Sequence, residues 1–206
     1  MNITVLSKND AIFACWIAAR NCYCYDNEKM KDLINKEYKK DIAINLLKNI
    51  FKNGHLSIFE HATFQLFIED VSRSLLAQFT RHRIGWSYAV QSQHFQTHKK
   101  FRYKELEQYI SDDQKQQYHQ IMNSISDFYD NAINSGLPKY IAREILPNAC
   151  YTRIVATTNL RALINFWQLR NGKENTPEIK LMSDKIYEAI ITCEPLIKEI
   201  YKYNDK

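Results

Sequence analysis

Ala62-Thr63-Phe64-Gln65-Leu66-Phe67-Ile68-Glu69 is the stretch on which the fold turns. Phe64, Leu66 and Ile68 recur every second residue, which places them together on one face of a β-strand. Just beyond, Ser72 is a suitable N-cap for a helix that runs through Leu75, Leu76 and Phe79 toward Arg81. A strand is therefore followed at once by a helix, and the same alternation continues outward in both directions.

Toward the N-terminus, Ile3-Thr4-Val5-Leu6 reads as a short strand and residues 11–22, rich in Ala, Ile, Phe and Trp, as a buried helix. Residues 41–52 form a second helix, with Gly54 where a left-handed cap residue is expected. Toward the C-terminus, residues 87–95 contain no Pro or Gly and carry Tyr88, Val90 and Phe95, so they read as extended. Residues 111–134 are polar but place Tyr118, Ile121, Ile125 and Phe128 at helical spacing, as in a surface helix. Pro138 opens a short helix that Pro147 must end. Residues 150–157 suit another strand, Leu160–Arg170 a helix, and Thr176-Pro177-Glu178 the start of a last one. The expectation is an α/β (α+β mixed) fold: a central mixed or antiparallel sheet flanked by helices.

The 206 residues include only four Gly and four Pro, with no repeat or linker-like segment, so residues 1–206 read as one domain. A chain of this size buries roughly 70% of its unfolded surface. No apolar run approaches the ~20 residues of a membrane span, and the first residues lack a secretory pattern, giving a cytoplasmic expectation. Five cysteines, an odd number, favour reduced thiols, and Cys22-Tyr23-Cys24 lacks a second pair at metal spacing. The net charge of +5 suits an anionic ligand without choosing between a nucleotide and a nucleic acid.

Polar residues that a core does not require concentrate in residues 55–61, 78–94 and 143–170. Gln78 and Arg81 are three apart, on one face if helical, and His82 and Arg83 add donors to that end. Arginine binds phosphate bidentately and stacks on flat rings, although a basic helix end complementing its own dipole is an equally simple reading of the cluster. Within Leu160–Arg170, Arg161, Asn165 and Leu169 share one stripe, while Asn159 and Arg170 fall nearly opposite. A helix between two ligands, or between a ligand and a subunit interface, accounts for two polar faces. His94 and His98 have i, i+4 spacing, but extended backbone separates the rings and no third ligand is evident, so no metal site is assigned. Lys99, Lys100, Arg102 and Lys104 read as a solvated loop rather than a nucleic-acid surface.

Taken together, Arg81-His82-Arg83, eight residues, then Ser92 resembles the RHR-x(7 or 8)-S signature of the flavin-dependent thymidylate synthase family. His55-Leu56-Ser57-Ile58-Phe59-Glu60-His61 is similar to that family's H-x-S/T-x-x-E-H segment. Arg143-Glu144-Ile145-Leu146-Pro147, Tyr151-Thr152, Asn159-Leu160-Arg161 and Leu169-Arg170 follow in the family's order. The resemblance implies a homotetramer whose active sites combine residues of several subunits, each with one FAD. It implies Ser57, Glu60, Arg81, His82, Arg83, Ile84, Asn159, Arg161 and Asn165 at the flavin, and Gln78, Arg81, Gln91, Ser92, Gln93, Arg143 and Arg170 at the nucleotide. Arg170 is the expected catalytic residue, a cation favouring ionisation at the uracil N3. The reaction implied is reductive C5-methylation of dUMP to dTMP, with NADPH reducing the flavin and methylenetetrahydrofolate supplying the carbon. No cysteine is marked as an activated nucleophile.

Residues 87–95 depart from the family's S-x-N-E-x-S-x-R-Y: Ala89, Val90, His94 and Phe95 stand for Asn, Glu, Arg and Tyr. An Arg would hold phosphate at any pH, whereas an unperturbed His is mostly neutral above ~6.5. Two alternatives follow: a relative methylating UMP or another uridine nucleotide, and a noncatalytic nucleotide- or RNA-binding protein on the same scaffold.

Overall fold

The computed structural model describes residues 1–106 and 108–203. The Phe64–Ile68 alternation is the centre of the fold. β2 (Thr63–Ser72) lies between β1 (Asn2–Lys8) and β4 (Tyr151–Asn159), and β3 (Trp86–Val90) closes the far edge in the order β1-β2-β4-β3. Each pairing is antiparallel, which settles the sheet type the sequence left open. Phe64, Leu66 and Ile68 are buried, and β4 contributes Ile154 and Ala156 to the same core. A register shift between Ile68 and Val71, with Asp70 at φ 57°, turns β2 so that Ser72 ends the strand and caps α4 (Arg73–Phe79). The Ser72 hydroxyl accepts from Leu75 N at 3.0 Å, the capping read from sequence.

Before the sheet's centre come α1 (Ala11–Asn21), α2 (Asn27–Asn35), α3 (Lys40–Lys52) and a 3-10 turn at Leu56–His61. After β3 come α5 (Asp112–Asn134), α6 (Lys139–Ala142), α7 (Leu160–Arg170), α8 (Pro177–Cys193) and α9 (Ile197–Ile200). α7 begins where β4 ends, and Asn159 is its N-cap, accepting from Ala162 N at 2.9 Å. Leu163, Phe166 and Trp167 anchor α7 in the core, and α8 presents Ile179, Met182, Ile186 and Ile190 along one stripe. That burial fixes the rotation of α7, and hence the directions in which its polar residues point.

Four expectations need correction. α4 stops at Phe79 with Thr80 as its C-cap, so Arg81 lies on a turn and does not share a helix face with Gln78. Extended backbone in residues 87–95 ends at Val90, because a turn capped by Ser92 follows. The buried stripe of α5 contains Met122 and Tyr129, while Ile121 and Phe128 face outward. Thr176 stands at the N-cap of α8 but makes no capping bond; its hydroxyl donates to Gln78 Oε1 at 3.1 Å. α2 was not anticipated: it is mostly polar and buries no residue, although Met30, Leu33 and Ile34 are spaced as on one helix face and Asp26 caps it.

Candidate active site

The N-terminal end of α7 faces the turn Ile84-Gly85. Between them lies a cleft of about 400 Å³ lined by Leu56, Glu60, Ile84, Gly85, Asn159, Arg161, Ala162, Ile164, Asn165 and Gln168. Arg161 and Glu60 are joined by a short ion pair linking α7 to the 3-10 turn. Gly85 has φ +74°, and a Cβ there would stand 2.7 Å from Ala162 Cβ and 3.1 Å from Asn159 Nδ2, so glycine permits the turn to close on the helix. Ile84, 93% exposed, is pushed into solvent at the cleft's edge. Of the residues expected at a flavin, Glu60, Ile84, Asn159, Arg161 and Asn165 come together here. Arg81 and Arg83 are exposed on the adjoining turn. Ser57 opens into a different cleft, with Asn9, Asn21, Cys22 and His61. Gln168 was missed, although it falls three residues after Asn165 on the same stripe.

This cleft fits a flavin by its donor set. Asn165 and Gln168 offer paired amide donors and acceptors, Arg161 a cation, and Ile84 an apolar surface for a flat ring.

The C-terminal end of α7 carries a second group. Arg170 Nε donates to His82 Nε2 at 2.9 Å, and Arg170 Nη1 to Asn175 Oδ1 at 3.2 Å. His82 is buried, with its ring edge against Phe166 at 4.9 Å, and the Tyr88 hydroxyl donates to its carbonyl at 2.7 Å. Burial, and then the charge of Arg170, push the His82 pKa down to about 4. The imidazole is neutral near pH 7, and acceptance from Arg170 places its proton on Nδ1. Burial and the nearby Arg81 shift Arg170 downward too, so two cations converge without an ion pair among the described residues.

The third group surrounds the turn after β3. Gln91 N donates to Arg153 O at 3.0 Å, and the Ser92 hydroxyl accepts from His94 N at 3.1 Å and Phe95 N at 3.2 Å. The His94 ring stacks on Tyr140 with centroids 5.5 Å apart, and Lys139 Nζ donates to Phe95 O, fastening the turn to α6. Gln93 is half-buried in this turn, and Arg143 begins the 3-10 turn after α6. Gln78 and Arg170 belong to the second group; Gln91, Ser92, Gln93 and Arg143 to the third. No hydrogen bond joins these groups among the described residues. The thiols offer no activated nucleophile within the core: burial raises Cys15 to about 12 and Cys150 to about 11.

Comparison with known proteins supplies the context for these groups. Residues 4–196 match the family model Thy1, thymidylate synthase complementing protein. A flavin-dependent thymidylate synthase of Geobacter sulfurreducens is 32% identical over 204 residues, covering 96% of this chain and 85% of that protein. One from Pyrococcus abyssi is 33% identical, covering 84% and 74% respectively. A crystal structure of a UMP/dUMP methylase from Streptomyces cacaoi bound with 5-Br dUMP has the same fold, with TM-score 0.77 and 21% identity over 97% of this chain and 93% of that one. Sequence match along nearly the whole chain places this protein in the flavin-dependent thymidylate synthase family.

Proposed function

We propose that the chain methylates dUMP at C5, with FAD at the N-terminal end of α7, NADPH as reductant and methylenetetrahydrofolate as carbon donor. The observation that carries this reading is α7 itself: one helix presents Asn165 and Gln168 to the cleft and Arg170 to the neighbouring cationic group. A flavin on the first side and a pyrimidine nucleotide on the second are brought into register by a single rigid element. The flavin supplies hydride-transfer chemistry when bound.

The chain's own contribution is orientation and charge. Asn159, Asn165 and Gln168 give directional amide contacts, and the Arg161–Glu60 pair fixes the guanidinium at the rim. Neutral His82 accepts from Arg170 Nε and so sets the plane of the guanidinium, leaving Nη donors for the uracil edge. A permanent cation there lowers the cost of losing the N3 proton. The Ser92 turn, with Gln91, Gln93 and Arg143, belongs at the nucleotide phosphate. In this reading each complete site draws that turn and the Arg170 group from different copies of a homotetramer.

A second reading, UMP as substrate, rests on the turn itself, where His94, stacked on Tyr140, stands in place of an arginine. Anaerobic turnover of dUMP and UMP with NADPH and methylenetetrahydrofolate separates the two, and methylation of UMP alone rejects dUMP. Purified protein is expected to take up FAD and absorb blue light; failure to bind any flavin overturns the enzyme reading. Arg170→Ala is expected to lower turnover by about 100-fold or more while retaining flavin, a loss typical of a positioned electrostatic group. Unchanged kinetics in that variant remove its role.

A further inference from the structure

Arg73, the first residue of α4, reaches across to the turn that follows β3. Its Nη2 donates to the Gln91 carbonyl at 2.9 Å, while its Nε is buried with no hydrogen-bond partner. It forms no ion pair among the described residues. Carboxylates of the surrounding segments are engaged elsewhere: Glu178 with Ser72 and Lys104, Asp70 with Arg102, and Glu144 with Arg143. Its charged neighbour is a second guanidinium, Arg143, whose repulsion adds to burial in pushing Arg73 downward. His98 beside it is buried, and an imidazole, neutral or protonated, is no counter-anion.

A half-buried guanidinium cannot shed its proton, and leaving it unpaired beside another cation costs stability. A counter-anion that arrives as a ligand removes that cost. The donors around the turn suit an anion with several oxygens. Arg73 has Nη hydrogens left over, Arg143 commits only Nε to Glu144, and the Ser92 hydroxyl, already accepting two N–H bonds, is left to donate. We propose that Arg73, together with Arg143 and the Ser92 hydroxyl, forms the receptor for a phosphomonoester, and that Arg73 selects phosphorylated nucleotides over nucleosides. This rests on the nucleotide reading above and adds to it a residue that the sequence motifs do not mark.

The test uses the full-length protein and three variants. Arg73→Gln is expected to raise the calorimetric Kd for dUMP or UMP by about tenfold or more, the scale of a charge-assisted phosphate contact, with affinity for deoxyuridine or uridine kept within about twofold. In turnover the loss falls on KM, and Arg73→Lys, keeping charge without the planar fork, lies between. Inorganic phosphate raises the Tm of the wild type but not of Arg73→Met. In phosphate-free buffer Arg73→Met melts no lower than wild type, because it removes an unpaired buried cation. Arg73 is overturned as a phosphate receptor by a nucleotide Kd unchanged in Arg73→Gln, by an equal loss for nucleoside and nucleotide, or by a lower Tm with the phosphate response intact in Arg73→Met. If wild type binds no uridine compound yet keeps a phosphate response that Arg73→Met lacks, the anion receptor stands and the substrate reading fails.

Discussion

At the scale of single residues, His82 is the most sensitive reporter of the site. Its folded pKa of about 4 lies below the ordinary 6.5, so between those values the unfolded chain binds a proton that the folded chain refuses. Stability from this group is therefore complete above about pH 6.5 and declines as pH falls toward 4, by an amount of the order of 3 kcal/mol. Urea unfolding at pH 7.5, 6 and 5 checks the sign: the midpoint should fall on acidification, and His82→Gln should flatten that dependence. A midpoint unchanged between pH 7.5 and 5 would contradict a buried neutral imidazole bonded to Arg170. The motif put His82 among the flavin residues, yet the folded chain sets it beside Arg170, and its neutrality comes from burial against Phe166 and from Arg170, which converge only after folding.

At the scale of elements, the turn Ile84-Gly85 and the first turn of α7 are a matched pair. Gly85→Ala puts a side chain on a backbone with φ +74° and drives its Cβ into Ala162. The left-handed penalty is roughly 1–2 kcal/mol, and overpacking adds about 1–3 kcal/mol. A lower Tm and a lower bound-flavin ratio are expected together. Ala162→Gly should recover part of both in the double variant, since it relieves the contact but not the backbone strain; no recovery would mean that this contact is not the cause. Periodicity and capping made much of the chain legible at this scale. Leu160–Arg170 was read to its ends because β-branched residues give way to a capped apolar helix between an Asn and an Arg. The end of α4 was not legible: Thr80 and Arg81 break no propensity rule, and the helix stops because the Tyr88 hydroxyl and the core around Phe79 claim its last turn. Arg73 carried no sequence signal either, since its isolation depends on where Glu178, Asp70 and Glu144 find their own partners.

At the scale of the whole molecule, the two polar groups occupy different places. Arg170 and His82 sit beyond the C-terminal end of α7, whereas Arg73 and the Ser92 turn sit where β3 and β4 diverge. Phe95, Tyr140 and Ile141 are exposed around the latter, as are Ile121 and Phe128 on α5, and apolar side chains in such positions are suited to a second copy of the chain. The proposed completion of each site between subunits makes a quantitative prediction. Arg143→Ala and Arg170→Ala are each expected to be inactive alone, because every site then lacks one of the two residues. Unfolding the two variants together and refolding them as a mixture generates some sites with Arg143 from one chain and Arg170 from the other. Random assembly from equal parts should restore about a quarter of wild-type turnover if each site takes the two residues from two different chains. Mixtures that stay inactive, while co-refolded wild type recovers fully, would place both residues of a site in the same chain.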